Sequence, residues 1–190
     1  YLVKQKAEVV ILAHLGRPDG KVDKKLSLES IAKRLEELLG QKVNFIDSCV
    51  GDNVKQRLKE DKFGQVTLLE NVRFHPEEEL NSHEFASQLI GSIKPDYIVQ
   101  DGFGVVHRAH ASTEGISRLK PAVAGLLLEK EVTMLNRAID HPQKPLVAII
   151  GGAKISDKLP LIERFLETAD TILVGGALAN TFLHCQGLRI

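Results

Sequence analysis

The amino-acid sequence predicts an α/β fold: a parallel β-sheet with helices on both faces, in a Rossmann-like three-layer arrangement. Short apolar runs rich in Val and Ile alternate with amphipathic segments, the pattern of βαβ units. Most of these runs are nearly continuous in apolar residues rather than strictly alternating, as strands covered on both faces are. Basic residues and glycines recur just after the runs, where an open parallel sheet binds its ligands.

Strands are expected at Glu8–Ala13, Lys42–Asp47, Val66–Glu70, Tyr97–Asp101, Leu146–Ile150 and Thr171–Val174. Between the first two lies "SLESIAKRLEELLG". Ser27 can N-cap this helix, Leu28, Ile31, Leu35 and Leu38 keep one face, and Gly40 suits its C-terminal stop. "NSHEFASQLIGSIKP" repeats the logic from Ser82, with Phe85 and Leu89 inward and a stop at Gly91. A longer helix is predicted over Ala122–Asp140, where Leu128, Val132, Leu135 and Ile139 step by four, three and four. Pro142 and Pro145 end it. Two strands follow; they either join the first sheet or begin a second lobe, and the long helix before them favours the second.

Composition narrows the function. Lys plus Arg and Asp plus Glu number 25 each, so no overall field draws the chain to nucleic acid or an anionic membrane. Cys49 and Cys185 form no CxxC pair, which fits a reducing cytoplasm rather than a disulfide scaffold. No apolar run is long enough to span a bilayer. The chain opens on Tyr1 in what reads as a helix tail and closes soon after a strand and helix begin, which suggests a fragment.

Any anion site must therefore be local, and four strand ends offer one. After the first strand, "HLGRPDG" carries His14 and Arg17; after the third, "NVRFH" carries Arg73 and His75. After the fourth, "GFGVVHRAH" carries His107, Arg108 and His110, and after the fifth, "GGAKISDK" carries Gly151, Gly152, Lys154 and Lys158. If the strands before the first three loops share a sheet, the loops converge on a concave cationic patch. Arginine's planar fork suits carboxylate and phosphate oxygens. A few such bonds, roughly 1.5–3 kcal/mol each, would hold a small phosphorylated acid at micromolar to millimolar affinity. His107 and His110 lack a third ligand of suitable spacing, so no metal site is predicted. The run Glu77-Glu78-Glu79 reads as a solvated helix start. "GGAKISDK" is not a Walker A loop, yet its turn and lysines favour phosphate, and Gly175 and Gly176 make a second such turn. "GFGVVH" lacks the third glycine of a dinucleotide fingerprint, which sets aside a nicotinamide-dependent oxidoreductase.

The stretches "AHLGRPDG", "LLENVRFHPEEE", "DGFGVVHRAHAST", "PLVAIIGGAKISDKLPLI" and "VGGALANTF" together closely resemble the phosphoglycerate kinase family, in its order and spacing. The resemblance implies an incomplete two-lobe kinase: residues 1–127 as the amino-terminal, 3-phosphoglycerate-binding lobe, 128–142 as interdomain helix and hinge, and 143–190 as the start of the nucleotide-binding lobe. It implies reversible phosphoryl transfer between ATP and the carboxylate of 3-phosphoglycerate, giving ADP and 1,3-bisphosphoglycerate, in glycolysis and in the cytoplasm. His14, Arg17, Arg73 and Arg108 would contact the acid, supported by His107 and His110. Gly151, Gly152, Lys154 and Lys158 would line the nucleotide phosphates beside Gly175 and Gly176. Lys154 and Arg108 would be catalytic. Mg2+ would accompany ATP or ADP on a protein ligand beyond Ile190, and a strand with a further arginine would precede Tyr1. The full-length protein would be a monomer with no nucleic-acid or membrane partner, and this fragment alone inactive. Gln100 stands where the family usually has Asn, Gly102 where it has Ala, Val105-Val106 for Thr-Ala, and Ala177-Leu178 for Gly-Met. The competing reading is a non-catalytic anion-binding or interaction module with the same fold.

Overall fold

The computed structural model describes residues 1–60, 65–140, 142–152, 156 and 158–189. The chain divides into two compact units, Tyr1–Gly125 and Leu126–Ile190. Both are α/β with parallel strands, as the apolar runs predict.

In the first unit, β1 (Val9–Ile11), β2 (Val43–Ile46) and β3 (Val66–Leu69) form a parallel sheet in the order β1-β3-β2. β3 is central and buried at every position, Thr67 included, as a strand covered on both faces is. Helix α1 (Glu29–Leu39) starts where Ser27 Oγ accepts from the Glu29 N–H and Glu70 accepts from the Leu28 N–H. It ends at Gly40 in the left-handed conformation, as its punctuation indicates. Leu28 and Ala32 pack on Val43, Val66 and Leu68 beneath it. Helix α2 (Asp52–Glu60) places Val54 and Leu58 against Ile46 and Leu69. The short α3 (Pro76–Glu79) leads into α4 (His83–Ile93), capped by Ser82 and packed through Phe85, Ala86 and Leu89 around Cys49 and Val72. Gly91 does not end α4. The helix runs two residues further and stops at Lys94, whose φ of 53° supplies the left-handed cap.

The fourth strand, β4 (Ile98–Gln100), does not pair with β1–β3 among the described residues. It pairs in parallel with β5 (Ala122–Ala124), so the expected helix over Ala122–Asp140 gives its first three residues to a strand. β5 forms because Ile98 N–H and Gly125 N–H bond to the carbonyls of Pro121 and Gln100, a partnership no local pattern reveals. Gly125 is required there: a Cβ would lie 2.3 Å from the Asp101 carboxylate. Between these strands lie the four-residue α5 (Phe103–Val106) and a single wide turn, Ala111–Gly115.

The second unit opens with α6 (Leu126–Ile139). β6 (Val147–Gly151) and β7 (Thr171–Gly175) pair in parallel with each other, joined by α7 (Leu159–Thr168) and followed by α8 (Gly176–Cys185). Ala148, Ile150, Ile162 and Leu178 form its core.

Candidate active site

The cationic residues of the first unit sit just beyond the C-terminal ends of β1, β3 and β4, where a parallel sheet leaves its loops free. Two residues knit the β1 and β3 loops. Asn71, fully buried, donates its amide to the carbonyls of Leu15 (2.8 Å) and Leu26 (2.9 Å), and its oxygen accepts the Arg73 N–H. Arg73, 7% exposed, donates Nη1 to the Gly16 carbonyl at 3.0 Å. Its Nε lies 3.2 Å from Glu79 Oε1, an ion pair whose alignment falls short of a hydrogen bond. Gly16 itself needs its positive φ of 67°, and a Cβ there would press on Leu26 at 2.8 Å. The β1 loop is thus fixed on both sides of Gly16, with His14 half-buried and Arg17 exposed.

The β4 loop carries exposed His107 and Arg108 and the half-buried His110. Thr113 winds this turn. Its hydroxyl donates to the Arg108 carbonyl (2.6 Å) and accepts from the His110 N–H (3.1 Å), while the His110 imidazole accepts from the Thr113 N–H. Gln100 reaches from β4 itself, its amide nitrogen 3.0 Å from the Thr113 carbonyl.

The loops are tied to one another: the Val72 N–H donates to the Ala13 carbonyl (3.2 Å), Arg73 to the Gly16 carbonyl, and the Ser112 N–H to Glu78. At His14, burial first, then the charges of Arg73, Arg108 and His110, hold the imidazole below the ordinary value, with Glu79 opposing. Four of the expected residues, His14, Arg73, Arg108 and His110, therefore share one electrostatic neighbourhood although β4 pairs with none of β1–β3 among the described residues. Arg17 and His107 flank them on the same loops.

The acidic run differs from its expected solvated state. Glu77 is exposed, but Glu79 pairs with Arg73, and Glu78 is 2% exposed with its carboxylate on Ser112. Burial raises the Glu78 pKa against the lowering effect of the Ser112 hydrogen bonds, His110 and Arg73. Glu78, Asn71 and Gln100 are the site's supporting residues that strand-end inspection passes over. Their one sequence signal is polarity beside buried runs.

In the second unit the parallel register puts Gly151 opposite Gly175 at the strand ends. Gly152, at a φ of 140°, leaves room for Lys158: a Cβ would lie 2.7 Å from its ammonium. The Gly152 carbonyl accepts from the Leu178 N–H of α8 at 3.2 Å, and Gly176 starts that helix. Gly151, Gly152, Lys158, Gly175 and Gly176 are thus brought together. Lys154 lies outside the described residues. No helix among the described residues is long and apolar enough to cross a membrane.

His14 and His75 give a pH test. His75 stacks on Phe85 at 4.7 Å, and burial lowers its pKa while Glu77 opposes. Both folded values lie below the unfolded 6.5, so the stability tied to the neutral rings is complete above pH 6.5. It is lost as pH falls through the folded values. Circular dichroism melts from about pH 7.5 to about pH 5 should show Tm falling on the acid side, with a shallower fall in His14→Asn.

Fold and loops place the chain among α/β proteins whose parallel sheets carry their ligand loops at the strand C-termini. Comparison with known proteins makes the assignment specific. The chain belongs to the phosphoglycerate kinase family, whose model matches residues 1–190. It is 49% identical over 190 residues to the phosphoglycerate kinase of Pelotomaculum thermopropionicum, covering all of this chain and 48% of that protein. It is 52% identical over 185 residues to that of Gloeobacter violaceus, covering 97% and 45%. Among solved structures, phosphoglycerate kinase from Pyrococcus horikoshii matches with a TM-score of 0.84 at 37% identity, over all of this chain and 48% of that one. The Coxiella burnetii structure matches at 0.79 and 44%, over 99% and 46%. The chain spans about half the length of the curated relatives it matches.

Proposed function

We propose that this chain carries the acid-binding lobe and the opening of the nucleotide lobe of a phosphoglycerate kinase. The enzyme would move a phosphoryl group reversibly between ATP and the carboxylate of 3-phosphoglycerate, giving ADP and 1,3-bisphosphoglycerate, in glycolysis. The observation that carries this reading is the convergence of His14, Arg73, Arg108 and His110 on one neighbourhood in a chain of this family.

Residues 1–127 form the acid lobe, 128–142 the hinge and 143–190 the start of the nucleotide lobe; the end of the first compact unit at Gly125 supports the first of these bounds. Arg17 and Arg108, both exposed, engage the phosphate of 3-phosphoglycerate with charge-assisted hydrogen bonds. His14, His107 and His110 orient the acid. Arg73 contributes its charge from beneath, because its guanidinium already serves Gly16 and Glu79. Gly151, Gly152, Lys154, Lys158, Gly175 and Gly176 receive the nucleotide phosphates, and Lys154 and Arg108 stabilise the charge of the group in transfer. Such transfer asks for positioned cations and N–H groups rather than a nucleophile. Mg2+ would arrive with ATP or ADP. Among the described residues no three His, Cys, Asp or Glu side chains gather as metal ligands, and none is assigned to it. The working enzyme is a cytoplasmic monomer, with no nucleic-acid or membrane partner. The isolated 190-residue chain, half its relatives' length, binds the acid without turning it over.

A coupled assay of ATP-dependent phosphorylation of 3-phosphoglycerate, on the protein at its relatives' length, tests the reading. The wild type should turn over and Arg108→Ala should lose at least about a hundredfold in kcat/KM. A folded wild-type protein without activity would leave the non-catalytic anion-binding module in its place.

A further inference from the structure

Glu78 is unused by the reading above, yet it is held with more care than any solvated helix start needs. Its side chain lies between α3 and the Ala111–Gly115 turn. One carboxylate oxygen accepts the Ser112 N–H at 2.9 Å and the other the Ser112 hydroxyl at 2.5 Å, with His110 Nδ1 3.9 Å from the latter. A carboxylate taken out of water persists only where such bonds compensate its lost hydration.

The consequence runs along the chain. Ser112 precedes Thr113, whose hydroxyl clamps the Arg108 carbonyl and the His110 N–H. Gln100 holds the same two residues, Ser112 and Thr113, through their carbonyls, but from β4, within the loop's own sheet. Glu78 holds Ser112 from the β3 side. Asn81, bonded to Glu114 at 2.6 Å, adds a second tie four residues beyond His110. The Glu78 tie is the one adjoining the wound turn.

We propose that Glu78 is a positioning residue: by accepting both Ser112 hydrogen bonds it holds the Arg108–His110 turn against the β3 loop in the geometry that receives the anion. It touches no substrate and acts chiefly through Ser112, with His110 facing the same carboxylate. The proposal rests on the acid-binding role of the patch.

Binding of 3-phosphoglycerate to the 190-residue chain, followed by NMR titration at low salt with circular dichroism on each sample, tests it. Glu78→Gln keeps the volume but turns one acceptor into a donor, and Ser112→Ala removes only the hydroxyl. Each should weaken Kd roughly tenfold, the loss expected of a hydrogen bond to a charged group. Ser112→Thr, which keeps the hydroxyl, should return Kd to within about twofold of wild type, a rescue that general loosening of the fold would not produce. Glu114→Ala, which removes the acceptor of the neighbouring Asn81 tie, should leave Kd unchanged. Saturable wild-type binding with Kd unaltered in Ser112→Ala, or not rescued in Ser112→Thr, overturns the positioning role alone. Should Glu78→Gln fail to fold, the Ser112 pair decides. A folded wild type that does not bind removes the acid-binding reading, and the inference with it.

Discussion

Arg73→Ala is expected to lower the stability of the first unit by about 3 kcal/mol and to abolish acid binding. The side chain is buried, so its removal leaves a cavity beneath the patch. It also strips the Gly16 carbonyl of its donor and leaves Glu79 without its cation. Glu79 is about half exposed and regains hydration, which keeps the cost below that of a fully buried pair. Arg73→Met should recover the part due to volume, because methionine refills the space without a charge. It should not recover binding. Arg108 makes the contrast: it is exposed, and Arg108→Ala should shift stability by no more than about 0.5 kcal/mol while binding is lost. Urea unfolding of the three variants beside titration with 3-phosphoglycerate checks the split. Equal stability in Arg73→Ala and wild type would mean that the buried guanidinium does not hold the β1 loop.

Asn71→Ala should be costlier still, about 3–5 kcal/mol. One side chain satisfies the carbonyls of Leu15 and Leu26 and the N–H of Arg73, and the residue is fully buried. Truncation leaves three backbone groups short of a partner at the place where the β1 loop, the start of α1 and the β3 loop meet. Asn71→Asp tests the polarity of those bonds, since a carboxylate cannot donate to either carbonyl and would face two acceptors. It should be no better tolerated than alanine. Denaturant midpoints with an unchanged m-value are the expected signature; a loss under about 1 kcal/mol in both variants would refute the hub role.

Arg73 and Asn71 also show which features of the fold are local in the sequence and which are not. The strands at Val9–Ile11, Val43–Ile46 and Val66–Leu69 were legible because nearly continuous apolar runs, broken only by Asn44 and Thr67, lie between polar loops. The cationic loops were legible because they follow such runs, and Ser27 and Gly40 mark the ends of α1 locally. What escaped was settled by distant partners. Ala122–Ala124 carries no strand signal of its own; β4 recruits it. Gly91 looks like a stop, yet Lys94 serves that purpose two residues after α4 has continued past it. The Glu77-Glu78-Glu79 run looks uniform, but the approach of Ser112 buries one member and Arg73 pairs another. Polar residues that bind loops together resemble surface residues until the loops are placed.

The loops after β1, β3 and β4 should act as one site for a phosphorylated acid. The most direct measurement is an NMR titration of the 190-residue chain with 3-phosphoglycerate at low salt, in wild type and Arg108→Ala, both first shown folded by circular dichroism. Saturable shifts at residues 14–17, 73 and 107–110, absent in Arg108→Ala at unchanged Tm, are predicted. A folded wild type without saturable shifts there, or shifts indifferent to Arg108→Ala, would contradict the account.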